Sequence, residues 1–98
     1  MKKTFPLTAP RHAPPRVVAA IKNDVRKYLK RERRKELPED AGSWAFDCRV
    51  GRDAASAESA HAAALIAAID AAAEKDWPEI YIEIIARPVQ RVGPRKTQ

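Results

Sequence analysis

Ninety-eight residues, 45% apolar and 33% charged, make one domain with one modest core. A lone cysteine excludes an internal disulfide and a multi-cysteine metal centre, no apolar run nears the ~20 residues that cross a bilayer, and MKKTFPLTAP lacks the apolar stretch of a secretory signal, so a cytoplasmic protein is expected. The net charge of +6 is unevenly spread: residues 1–37 hold twelve basic and three acidic side chains, residues 38–86 three and ten, and residues 87–98 four and none.

In chain order, KKTFPLT alternates, with Phe5 and Leu7 on one side, and predicts a short strand that Pro6 assigns to a sheet edge or strand end. APRHAPP, Ala9 to Pro15, is a Pro-rich connector, and Pro15 suits a first helical turn. From Arg16 the apolar residues Val17, Val18, Ile21, Val25, Tyr28 and Leu29 fall at helical spacing, and Leu37-Pro38 ends the helix. Such a helix is ~30 Å long against ~23 Å for a seven-residue strand, so it should overhang its sheet. The stripe continues to Glu32 and Glu36, which excludes the last two turns from the core.

SWAFDCRVG alternates again, and its aromatic face of Trp44, Phe46, Cys48 and Val50 is expected to be buried. Ser56 reads as the N-cap of a second, alanine-rich helix that carries His61 about one turn in and ends at Trp77-Pro78. EIYIEIIARPV is the clearest strand, with Ile80, Ile82, Ile84 and Ala86 on one face. The domain spans residues 1–88, and residues 89–98 form a basic tail without periodicity, expected to be disordered.

The order β-α-β-α-β predicts an α/β (α+β) two-layer sandwich, a three-stranded sheet with two helices on one face. Strand order stays open, and a parallel first-to-second crossover would be right-handed. The other sheet face keeps Thr4, Asp47, Arg49, Tyr81, Glu83 and Ile85.

In KKTFPLT, IKNDVRKYLKRERRKELPE, WAFDCRVG and YIEIIARP the chain resembles a family of small bacterial proteins known only as a domain of unknown function. The resemblance runs from about Lys2 to Pro88. It implies a small α/β fold and carries no catalytic residue and no ligand.

The first helix holds the strongest chemical signal. Arg26, Lys27, Lys30, Arg31, Arg33, Arg34 and Lys35 crowd one segment with a single acid, Glu32. The i,i+4 pairs Lys22–Arg26, Arg26–Lys30, Lys30–Arg34, Lys27–Arg31 and Arg31–Lys35 all repel, for a total of ~1–2 kcal/mol. A helix under pressure only for solubility would interleave Glu with Lys. A plain solvated helix is the competing reading, because cations suit a helix C-terminus, long basic stems cover apolar surface, and the acidic middle of the chain can supply partners.

A functional reading makes those seven residues a grip on RNA or DNA backbone rather than on bases, since Asn23 is the one amide beside them. A basic protein-docking helix is a lesser variant, and a membrane surface is disfavoured because the apolar stripe needs the sheet. No RNP-type strand, GXXG loop or zinc finger is present. Tyr81 and Trp44 are the candidate stacking aromatics, with alternation drawing Trp44 into the core.

The alternative partner is a second copy or another protein on the open sheet face. An enzyme comes third. Cys48 with His61 offers a nucleophile and base without a surrounding motif, and Asp47, Glu79 and Glu83 offer carboxylates that cross-strand ion pairs explain more simply. His12 and His61 fall in different elements and make no metal pair, the glycines form no phosphate loop, and no cofactor is expected.

Overall fold

The computed structural model describes residues 1–8 and 14–90. In order these form β1 (Lys2–Pro6), α1 (Pro14–Arg33), β2 (Ala41–Gly51), β3 (Glu58–Ala60), a 3-10 turn at Ala62–Ala64, α2 (Leu65–Glu74) and β4 (Glu79–Gln90). Most of the connector Ala9–Pro15 and most of the expected tail lie outside the described residues. Val89, the first tail residue in the sequence reading, pairs with Ser43 in a sheet ladder.

The sheet has four strands, not three, in the order β1-β4-β2-β3, and every neighbouring pair is antiparallel. β1 and β2 therefore point the same way with β4 between them. The extra strand is β3, which pairs Glu58–Ala60 with Val50–Cys48. In the sequence these residues are the start of an alanine-rich run, and local helix propensity misplaces them. The ladder on β2 outweighs that propensity.

Ser56 consequently caps no helix. Its backbone N–H and hydroxyl both donate to Asp53 Oδ1 at 2.8 Å, holding the β2–β3 turn. His61 sits ahead of the 3-10 turn rather than inside α2.

Both helices pack on one sheet face. Val18, Ile21, Val25 and Leu29 of α1 and Leu65, Ile69 and Ala72 of α2 close over Phe5, Cys48, Ile80, Ile82 and Ile84. Lys22 Nζ meets Asp70 Oδ1 at 2.8 Å and joins the helices. The Met1 ammonium donates to the Ile84 carbonyl at 2.7 Å and to the Tyr28 hydroxyl at 3.1 Å, which ties α1 to the β1–β4 ladder.

α2 ends in a Schellman motif. Asp76 has φ 59°, its N–H donates to the Ala73 carbonyl, and the Trp77 N–H reaches back to Ala72. Among the described residues no helix is long and apolar enough to cross a membrane.

The expected overhang of α1 is not found. β2 and β4 are 11 and 12 residues long, so β2 alone reaches ~37 Å and the sheet continues beneath the helix end. Glu32, excluded from the core on polarity, is buried there and paired with Lys35 at 2.8 Å. The Trp44 indole N–H donates to the Lys35 carbonyl at 3.0 Å and ties the turn after α1 to β2. The aromatic face of β2 is thus only partly core: Cys48 is buried, whereas Trp44, Phe46 and Val50 are half-buried.

Candidate nucleic-acid interface

The apolar stripe of α1 faces the sheet, so the residues between its members must face water. Arg26, Lys27, Lys30, Arg31, Arg33, Arg34 and Lys35 are all exposed, in α1 and on the turn that follows it. They differ in how they are held. Arg31 lies over the Tyr28 ring at 5.3 Å and Arg33 over the Phe46 ring at 5.3 Å, each a cation–π contact. Lys35 is paired with Glu32. Arg26, Lys27, Lys30 and Arg34 make no ion pair among the described residues, and residues 9–13 and 91–98 contain no Asp or Glu.

The acidic middle of the chain reaches this helix through Asp70 alone, at Lys22. Its other paired carboxylates face the opposite side of the sheet. There Asp47 accepts from Arg87 Nε at 2.8 Å and from Nη2 at 3.2 Å. Glu83 Oε1 accepts from the Tyr81 hydroxyl at 2.8 Å and from Arg49 Nη1 at 3.4 Å. Arg49 Nη2 also donates to the Ala54 and Ala57 carbonyls, clamping the β2–β3 turn.

The Arg87 guanidinium holds the Asp47 carboxyl below its ordinary value, and the bond to Glu83 raises the Tyr81 hydroxyl. Tyr81 is buried, which removes it as a stacking platform. Ile85, 40% exposed, is the large apolar side chain left open on this face.

A groove of about 630 Å³ at the end of β3 is bordered by Asp47, Cys48, Glu83 and His61, the candidates for acid–base or nucleophilic chemistry. Each of three is engaged otherwise. Asp47 is on Arg87, Glu83 is on Tyr81 and Arg49, and the Cys48 thiol points to the Phe46 carbonyl at 3.8 Å. Burial, with the Asp47 charge beside it, pushes that thiol up, away from a thiolate.

All seven basic residues that the sequence singles out are exposed, but sequence reasoning misses the two aromatic supports of Arg31 and Arg33. Tyr28 reads as a stripe residue and Phe46 as core. The length of β2, with Gly42 and Ser43 carrying it back to Ala41, is the signal that places Phe46 under Arg33.

No match was found among curated proteins or among solved structures. The family of unknown function DUF6172 matches residues 1–95. The chain belongs to that family.

Proposed function

We propose that this chain is a non-catalytic module that binds RNA or DNA backbone through the basic outer side of α1. One observation carries the reading: Arg26, Lys27, Lys30 and Arg34 stand exposed and make no ion pair among the described residues, although Asp24 and Glu36 lie close to them in the chain. A helix whose like charges only needed solubility would draw those carboxylates in. The stacked Arg31 and Arg33 support it further, because a guanidinium held on a ring loses less freedom when it meets a phosphate.

Binding of mixed-sequence RNA and DNA, followed by fluorescence anisotropy against salt, tests this. With ~5 phosphate contacts, log K falls against log salt with a slope of about −4. The triple variant Arg26→Glu, Lys30→Glu, Arg34→Glu keeps the fold and drops the slope to about −2 or abolishes binding. An unchanged slope in that variant refutes the reading.

Docking through the open sheet face has less support. Its charges satisfy one another, and Ile85 alone offers little apolar area.

A further inference from the structure

A guanidinium lying on an aromatic ring is an unfinished stack. Arg31 lies over Tyr28 and Arg33 over Phe46, and both arginines are exposed. Each can take a third planar group on its outer side and still keep N–H donors around its edge for phosphate.

The two stacks do not sit side by side. Residues two apart on a helix stand about 200° apart around its axis, so Arg31 and Arg33 leave α1 on opposite flanks. Their rings agree. The Tyr28 hydroxyl accepts from the Met1 ammonium beside the β1–β4 ladder, whereas Phe46 belongs to β2, on the other side of β4. The apolar stripe occupies the longer way round. Across the shorter, outer way of about 160°, from Arg33 to Arg31, come Arg26, Lys30, Arg34 and Lys27 in that order. These are the four that make no ion pair among the described residues. Arg34 keeps its angular place beyond the end of α1, because its N–H bonds to the Arg31 carbonyl at 3.2 Å and the winding continues. Lys30 and Arg34 stand level with the stacks, and Arg26 and Lys27 one turn earlier. A track of unpaired charge thus crosses the top of the helix, with a stack at each end.

We propose that single-stranded RNA or DNA crosses α1 along this track, its phosphates on Arg26, Lys27, Lys30 and Arg34 and one base on each of Arg31 and Arg33. The inference rests on the reading of α1 as a grip on nucleic-acid backbone and narrows that reading to unpaired strands. A duplex keeps its bases stacked on one another and has none to give to the two guanidinium groups. An unpaired base stacks on aromatic side chains and on guanidinium planes. The flanks of a helix are about 10–12 Å apart, a width that a short piece of strand spans. Every base has a flat face, so the site is indifferent to sequence, in keeping with Asn23 as the one amide beside the basic rows.

Fluorescence anisotropy on the full chain tests this, with one labelled mixed-sequence strand offered alone, as its duplex, and as an abasic strand of equal length. Charge alone favours the duplex, whose contacts release more counterions per phosphate. Preference for the single strand by about fivefold or more at equal salt, with a similar loss for the abasic strand, supports the proposal. A duplex or an abasic strand bound as tightly as the single strand overturns it and leaves the backbone grip standing. Binding to none of the three removes the grip as well. The pair Arg31→Lys, Arg33→Lys keeps both charges and loses both planes. It weakens single-strand binding by about fivefold or more, with the salt slope unchanged and duplex binding as before. Equal losses on strand and duplex overturn the proposal, because they mark both arginines as phosphate contacts only.

Discussion

The two ends of the β2–β4 ladder are built from the same strands and live in different surroundings. At one end, Cys48–Gly51 and Tyr81–Ile84 are flanked by β1 and β3 and roofed by both helices. Ile80, Ile82 and Ile84 are fully buried there, and the Arg49–Glu83–Tyr81 network seals the opposite face. At the other end, Ala41–Asp47 and Ile85–Gln90 form a two-stranded ribbon with no third strand among the described residues. Its side chains are mostly half-buried or exposed, and the basic end of α1 rests on it. Stability is concentrated in the first end, while the charged surface lies at the second. A helix can carry ~1–2 kcal/mol of self-repulsion when its apolar half is anchored elsewhere.

The widest separation of the two ends comes from large-to-small substitutions. Ile82→Ala, in the fully buried core, costs ~2–5 kcal/mol, whereas Val89→Ala on the ribbon costs under ~1.5 kcal/mol; urea unfolding measures both. Equal losses would erase the distinction.

Next in size is Gly51→Ala. A Cβ at Gly51 would stand 2.7 Å from the Ala57 Cα and 3.0 Å from its N, both backbone atoms that the Arg49 clamp holds in place. The expected loss is ~1–3 kcal/mol, read as a lower urea midpoint.

Asp76→Gly acts in the opposite direction. It relieves a left-handed conformation at the end of α2 and stabilises by up to ~1 kcal/mol in thermal melts, with ribbon amide exchange unchanged.

The smallest effect belongs to the ribbon's own ion pair. The Asp47 carboxyl is depressed in the folded chain by Arg87, so its contribution is present above the ordinary carboxylate value and is lost as pH falls through the depressed one. Urea midpoints of the native chain and of Arg87→Ala should therefore differ slightly at neutral pH and converge in strong acid. Screening by salt should shrink the neutral-pH gap.

How far the sequence reveals this architecture depends on where each signal is local. The stripe of α1 and the alternation of Ile80, Ile82 and Ile84 are properties of single elements, and both elements appear where periodicity places them, although α1 stops at Arg33, short of the expected end at Leu37-Pro38. β3 is not visible in that way, because Glu58–Ala60 becomes a strand only by meeting Cys48–Val50. The burial of Glu32 is equally non-local. It follows from how far the ladder of β2 with β4 runs, and no pattern within α1 contains that length.

Six of the seven basic residues are legible as a group because i,i+4 spacing sets Arg26, Lys30 and Arg34 beside Lys27, Arg31 and Lys35; Arg33 belongs to neither row. Which of them are held and which stand free depends on Tyr28, Phe46 and Glu32. One of those partners, Phe46, lies outside α1.

The central position of β4 bears on how the chain is made. β1 and β2 share no hydrogen bonds with each other, and the strand that joins them is the last described element to leave the ribosome. Until Glu79–Gln90 emerges, β1 has no partner, β2 has only the short hairpin to β3, and the apolar faces of both helices have no complete sheet to cover. The four strands must therefore assemble after synthesis of the last one, in a single late step dominated by contacts between distant parts of the chain.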